Sequence, residues 1–534
     1  MMASRGEASA AEFDVLVLGG GAAGCVIAGR LSEDPTCRVG LVEAGPDYGA
    51  YERNGWPRSL LDARVDGALT ALAGGVSEAH DWGFEGGLSS SRARVIGGCS
   101  AHNGCEVLWG SVADYDEWAA STGDPGWSHA SLLPYLQRAH ETIRARPSDV
   151  RHLTPIRRAL LAAGRQLGLP ELADVNDVGA LEGAGPIPVN AVGVIRWNAA
   201  FAYLDPGRDR PNLTVIDRTL VDRLVVAGGR AGGVEVIREG RRSVLRAETY
   251  VLAAGSYATP AILGRSGVGA GDDLRRMGIT PAVDLPGVGA GLLDHPYVLA
   301  SWSTHRRLVN ADARLDGVDL PLSLAEVKVR TSRAPENGWD VTIGAWSGQL
   351  FDQRAHAPGA HVAGMAPCAM RAVSRGRVRL RSADPNALPA IEHGFLTDPG
   401  GADLGVLMEG VDAARRLAAT RAWRHWCGEE VSPGAHVTGA ELAAWIRANV
   451  AGTYHPSGTC RMGRPGDRET VCDPAGRVAG VDNVRVADAS LFPSIPAANI
   501  HLSVLAVAER IADVMRGHGR PQDAASHEPR KGNT

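Results

Sequence analysis

Phe13-Asp14-Val15-Leu16-Val17-Leu18, followed directly by Gly19-Gly20-Gly21-Ala22-Ala23-Gly24, is the stretch on which the reading of this chain turns. A short apolar run that stops at glycine reads as a buried strand, and Ala22 to Leu31 beyond it has the composition and spacing of a helix. Arg38-Val39-Gly40-Leu41-Val42 is a second β-rich run, closed by Glu43-Ala44-Gly45-Pro46. Strand, tight turn, helix and strand make one βαβ unit, so the sheet it starts is expected to be parallel and buried.

The glycines sit where a phosphate ligand needs them. In this GxGxxG pattern Gly19 permits the turn, Gly21 lets the backbone approach a pyrophosphate, and Gly24 allows the helix to pack closely on the strand. The helix N-terminus then presents unpaired N–H groups to the phosphates. Glu43 follows about twenty residues on, where a carboxylate accepts hydrogen bonds from ribose hydroxyls and repels an NADP 2′-phosphate. A bound dinucleotide is the expectation, against the alternative of a ligand-free glycine turn. The pattern alone does not separate FAD from NAD.

Working outward, 534 residues suggest two to four structural units at roughly 150 residues each. A hydrophobic fraction of 44% with 22% charged residues fits a globular protein and argues against disorder. The net charge of −5 gives no bulk attraction to nucleic acid. All but two of the 55 basic residues, Lys328 and Lys531, are arginine, which leaves little lysine for Schiff-base chemistry. The eight cysteines form no CxxC pair and no Cys/His ligand spacing, so no metal site is expected. Met1 to Glu12 lacks the apolar run of a signal peptide and no segment reaches membrane-spanning length, so the expected setting is cytoplasmic.

Strands are also expected at Asn212 to Asp217, Leu224 to Val226 and Thr249 to Ala254, which makes the nucleotide domain discontinuous. Between about Leu308 and Val450 strands such as Asp340 to Ile343 and Arg377 to Leu380 alternate with Pro/Gly loops and the helical stretches Leu404 to Ala418 and Gly439 to Ala448. This suits a mixed or antiparallel second domain.

Four further segments resemble the glucose-methanol-choline (GMC) oxidoreductases, FAD-dependent alcohol oxidases and dehydrogenases. They are Arg94-Val95-Ile96-Gly97-Gly98-Cys99-Ser100-Ala101-His102-Asn103; Gly255 to Gly269; Leu285-Pro286-Gly287-Val288-Gly289 leading to Asp294-His295-Pro296; and Tyr454-His455-Pro456 through Val486-Ala487-Asp488-Ala489-Ser490 to Glu509. They run in family order along nearly the whole chain, so the resemblance implies FAD rather than NAD. It also implies an α/β fold, with a Rossmann-like FAD-binding domain interleaved with a substrate domain built on an antiparallel sheet with helices. The boundaries expected are FAD-binding parts at 13–150, 206–305 and 451–516, a substrate-domain or connecting segment at 151–205, a substrate domain at 306–450 and a disordered tail at 517–534.

Oxidising an alcohol through flavin needs a hydride acceptor and a group that takes the hydroxyl proton, a role that suits histidine. His455, ahead of Pro456, matches the family's catalytic segment, and His501 stands where the family carries its second catalytic side chain; alternatively His501 caps the helix that begins near Leu502. Gly98, Cys99, His102 and Asn103 fall in the segment that runs beside the flavin in the family. His102 most resembles the choline-oxidising members, whose histidine here is joined to the 8α-methyl of FAD; the alternative is a ring packed beside the flavin edge. Asp488 and Ala489 match the segment that meets the pyrophosphate and ribityl chain, and Val221 matches a backbone contact to adenine. His295 and Arg461 read as conformational and ion-pairing residues.

Choline recognition calls for an aromatic cage or a carboxylate. With 5% aromatic residues, nothing between Leu308 and Val450 marks a cage, and Gly104 stands where the choline oxidases carry serine. A neutral primary or secondary alcohol is an equal expectation. The electron acceptor is oxygen or another oxidant, and the oligomeric state is open. A second reading within the same family is a lyase of the hydroxynitrile-lyase type that keeps FAD only as structure.

Overall fold

A computed structural model describes residues 12–64, 80–85, 90–315, 318, 320–348 and 360–517. The opening unit is β1 (Phe13–Leu18), a helix α1 (Ala22–Leu31) and β2 (Val39–Val42). Apart from the first two residues of β1, both strands are fully buried, as near-continuous apolar runs in a parallel sheet should be. The sheet has five strands in the order β5-β4-β1-β2-β3, where β3 is Leu213–Ile216, β4 is Ala247–Leu252 and β5 is Val484–Val486, and every pair is parallel. From β1 the chain builds outward to β2 and β3, then crosses over to β4 and β5. The crevice between the carboxyl ends of β1 and β4 is therefore the switch point at which such sheets bind ligands.

A three-stranded antiparallel meander, Thr219–Ala227, Arg230–Arg238 and Arg241–Leu245, is inserted between β3 and β4. On the other side of the molecule lies a sheet that is antiparallel throughout. Its strands run in the order Cys427–Ser432, Ala300–Thr304, Val362–Ala369, Val341–Gly348, Leu324–Val329 and Gly183–Ile187, with the short pairs Pro296–Tyr297 and Ala451–Gly452 at one corner. Side-chain alternation divides its two faces. Val327, Val341, Ile343 and Met365 join an apolar core with helices Pro155–Gln166 and Ala402–Ala418. Glu326, Thr342, Gly344, Trp346, Ala366 and Cys368 point the other way and roof a cavity shared with the parallel sheet.

The α/β architecture with two interleaved sheets matches expectation, but one boundary moves. Pro296–Tyr297 and Ala300–Thr304 pair in the antiparallel sheet, whereas the sequence places them in an FAD-binding part running to 305. The Gly/Pro-rich stretch Pro286 to Gly291 lies just before them, so the change of sheet follows that turn signal rather than a break near 305. The tail beyond Gly517, read from sequence as disordered, lies outside the described residues, as does nearly all of Met1 to Glu12.

Candidate active site

A single cavity of about 1000 Å³ runs from the Gly19 loop to the roof of the antiparallel sheet. Gly19, Gly21, Glu43, Gly98, Cys99, His102, Asn103, Val221, His455, Asp488, Ala489 and His501 all line it; of the catalytic and cofactor-binding candidates read from the sequence only Gly24 does not. A Cβ on Gly24 would fall 1.9 Å from the Gly19 carbonyl oxygen, so its place is in the contact between helix and turn. A Cβ on Gly21 would meet no protein atom closer than 3.8 Å and would project into open space beside α1. That helix starts without a side-chain cap, which leaves its first-turn N–H groups for a ligand.

The two acidic residues of this end are held by backbone. Glu43 accepts from Gly20 N–H at 2.9 Å and Gly45 N–H at 2.7 Å. Burial pushes its carboxyl up to about 7, and those two donors work against the shift. Asp488 accepts from Gly255 N–H (2.7 Å), the Thr259 hydroxyl (2.6 Å), Ser490 N–H (2.9 Å) and the Ser490 hydroxyl (2.5 Å). Its carboxylate thus ties the loop after β4 to the loop after β5. Val221, on the meander, offers its carbonyl to Arg265 at 3.4 Å.

At the other end the histidines form a directed chain. His295 Nε2 lies 3.0 Å from the Pro496 carbonyl, and His295 Nδ1 lies 2.9 Å from His455 Nδ1. A carbonyl only accepts, so His295 carries its proton on Nε2 and its Nδ1 is a lone pair. His455 must then donate from Nδ1, shared with the Thr453 hydroxyl at 2.8 Å. That leaves His455 Nε2 as an unprotonated acceptor, with no partner among the described residues. Burial, then the neighbouring His295 and Arg92, hold His455 well below the usual imidazole range. Asp294 fixes the backbone of both rings by accepting from His295 N–H (2.8 Å) and His455 N–H (2.9 Å).

His501 opens the C-terminal helix as its first residue, and Ile500 rather than His501 is the cap. The Asn103 side-chain nitrogen lies 3.5 Å from His501 Nδ1. With Asn103 as donor, His501 carries its own proton on Nε2, which is buried without a partner. Burial lowers its pKa to about 4. The two rings therefore present opposite polarity, one an acceptor and one a donor. His102 makes no side-chain hydrogen bond among the described residues, and burial, followed by the charges of Arg196 and Arg92, lowers it to about 3, so its ring is neutral.

Comparison with known proteins completes this geometry. The GMC oxidoreductase profile matches residues 13–297 and again 372–508. Human mitochondrial choline dehydrogenase is 32% identical over 97% of this chain and 92% of its own length. Choline oxidase of Arthrobacter globiformis is 33% identical over 95% and 94%.

The chain belongs to the GMC oxidoreductase family.

Among solved structures, pyridoxine 4-oxidase from Mesorbium loti superposes with a TM-score of 0.83 at 27% identity, covering 95% of this chain and all of that one. A formate oxidase at 23% identity and TM-score 0.79 shares the fold. As a GMC oxidoreductase the protein is an FAD-dependent enzyme that oxidises alcohols, and these relatives give no support to the lyase alternative. The cavity fits FAD on its own terms: an open position at Gly21, an uncapped helix start, and a neutral His102 at the far end. No described helix is long and apolar enough to cross a membrane.

Sequence reasoning left His295 with a conformational role, yet it hydrogen-bonds the candidate base directly. It also found nothing between Leu308 and Val450 to recognise a cation, whereas this GMC enzyme lines its cavity with Glu326, Trp346 and Trp445 from that span and Glu106 from outside it. The signal was present as Leu324-Ala325-Glu326-Val327-Lys328-Val329, whose alternation reads equally well as a strand with a solvent face.

Proposed function

We propose that His455 is the proton acceptor in alcohol oxidation and His501 the donor that orients the hydroxyl oxygen. The observation that carries this is the contact between His295 Nδ1 and His455 Nδ1, since it fixes His455 Nε2 as a lone pair. Bound FAD supplies the hydride acceptor, N5 of its ring system. An alcohol whose O–H meets His455 Nε2 gives up its proton as the alkoxide develops, while the Nε2–H of His501 stabilises the negative charge on oxygen. Burial of both rings keeps them neutral at working pH, so neither role needs a prior proton loss.

At the nucleotide end, we assign the pyrophosphate to Gly19, Gly21 and the start of α1, the ribose to Glu43, adenine to the Val221 backbone, and the ribityl chain to the Asp488–Ala489 segment. Gly98, Cys99 and Asn103 pass beside the flavin ring, and His102 carries it through a covalent bond to the 8α-methyl. Eight free cysteines support a reducing, cytoplasmic setting.

Anaerobic mixing with a panel of primary and secondary alcohols tests the reaction: loss of the oxidised-flavin absorbance supports it, and no bleaching by any alcohol overturns it. Reoxidation by air or by artificial acceptors then assigns the oxidant. Acid precipitation tests the attachment, since a yellow pellet supports the bond and a colourless pellet under a yellow supernatant removes it.

A further inference from the structure

At His102 the backbone is gripped from behind, while the ring lines the cavity and makes no hydrogen bond among the described residues. The grip comes from residues 190–199. Arg196 is fully buried and donates through Nη1 to the Ala101 carbonyl at 3.1 Å and through Nε to the Asn103 carbonyl at 2.9 Å, one on each side of His102. The same Nη1 reaches the Leu60 carbonyl at 2.7 Å, which ties the guanidinium to a third segment. Ala199 N–H donates to the Ser100 hydroxyl oxygen at 2.9 Å, and Asn190 N–H to the Cys105 carbonyl at 3.0 Å. Ser100, Ala101, Asn103 and Cys105 are thus all held, and the His102 ring between them is left free to meet something in the cavity.

Burying a cation is costly unless its donors are satisfied. Here the donors converge on the two peptide groups that set the direction of one side chain. A planar guanidinium carries its N–H groups in a rigid fork, which suits it to bracket two carbonyls at once. The charge acts at the same place: burial, and next Arg196, lower the His102 ring to about 3, so the ring keeps a nitrogen lone pair.

We infer that Arg196 is the positioning residue for flavin attachment, bracketing the His102 backbone so that the ring meets the 8α-methyl of FAD. This rests on the reading that His102 carries the flavin, and names what equips it to do so. Attachment breaks one methyl C–H bond and one imidazole N–H bond and forms one N–C bond. Two protons and one electron pair pass to the flavin, and oxygen takes them up as hydrogen peroxide. Bond formation of this kind needs the nitrogen close to the carbon and aligned with it, and a displacement of about 1 Å costs on the order of 10²-fold in rate.

The test purifies flavin-loaded wild type, Arg196→Met and Arg196→Lys, incubates each with FAD in air, and measures by acid precipitation the share of bound flavin that stays with the protein. A general loosening of the fold lowers the amount of flavin bound; loss of positioning lowers the attached share of what is bound. Wild type is expected to give a yellow pellet. Arg196→Met, which removes the donors, is expected to attach its bound flavin about a hundredfold more slowly. Arg196→Lys keeps the charge but replaces the fork with a single nitrogen, and is expected to be about tenfold slower than wild type. If Arg196→Met binds no flavin, Arg196→Lys decides. Wild-type attachment in either loaded variant overturns the inference, and so does failure of both to bind FAD, since Arg196 would then shape the whole cavity rather than one segment. A colourless wild-type pellet under a yellow supernatant overturns the attachment itself.

Discussion

At the Gly19–Gly24 end of the cavity both acidic side chains are fully engaged within the protein, with Glu43 on two backbone N–H groups and Asp488 on four donors. At the His455–Glu326 end, His501 Nε2 is buried without a partner, and neither His455 Nε2 nor the Glu326 carboxyl has a hydrogen bond among the described residues. The nucleotide end grips with backbone groups and close fit, so it tolerates changes of polar side chain better than an added methyl group. The reacting end must leave hydrogen-bonding capacity unmet for a substrate to meet, and the unmet capacity is itself the sign of function.

The largest effect expected from breaking this contrast is at the acceptor. His455→Ala should slow flavin reduction by about 10²–10⁴-fold in anaerobic stopped-flow with flavin content unchanged; a near-normal rate would end the assignment. Next comes the ring behind it. His295→Ala should cost on the order of 10²-fold in the same rate by freeing the His455 ring. His295→Asn, whose carboxamide oxygen can accept from His455 Nδ1–H, should recover most of that loss, an outcome that simple damage to the fold would not give.

The glycines sharpen the other side of the comparison. Gly24→Ala should lower flavin incorporation about tenfold and destabilise the chain by about 1–3 kcal/mol, because its methyl group collides with the Gly19 carbonyl. Gly21→Ala should lower incorporation while leaving apoprotein stability within roughly 0.5 kcal/mol, since only a ligand would meet the new methyl; normal incorporation would show that nothing approaches that backbone. The smallest effect belongs to a pair at neither end. Arg461 bonds Asp467 at 2.8 Å and Glu469 at 3.0 Å near the surface, so Arg461→Ala should cost about 0–1 kcal/mol in thermal unfolding and leave flavin reduction intact.

The same contrast explains what the sequence disclosed. Glycine spacing records a backbone requirement directly, so β1, α1 and β2 could be placed from Phe13 to Val42 with little error. Asn212 to Asp217 and Thr249 to Ala254 likewise fall on β3 and β4, because buried parallel strands are apolar runs. His455 and His501 were found through neighbouring motif residues, and both line the cavity. Glu326 was not, because local alternation cannot distinguish a face turned to water from one turned to an internal cavity; all six residues of its strand are buried. The partnership of His295 with His455 also escaped notice, since it joins positions 160 residues apart and depends on a lone carbonyl at Pro496.

The interleaving of the two sheets has a bearing on how the molecule is made. The parallel sheet draws its strands from residues 13–18, 39–42, 213–216, 247–252 and 484–486, so its last strand leaves the ribosome long after the first four. Neither sheet is encoded by one contiguous block, and contacts so distant in sequence make assembly slow. The nascent chain therefore carries an incomplete cradle until Val486 has emerged, and capture of the flavin belongs after that point, with truncation before Val484 leaving β4 as an unpaired edge.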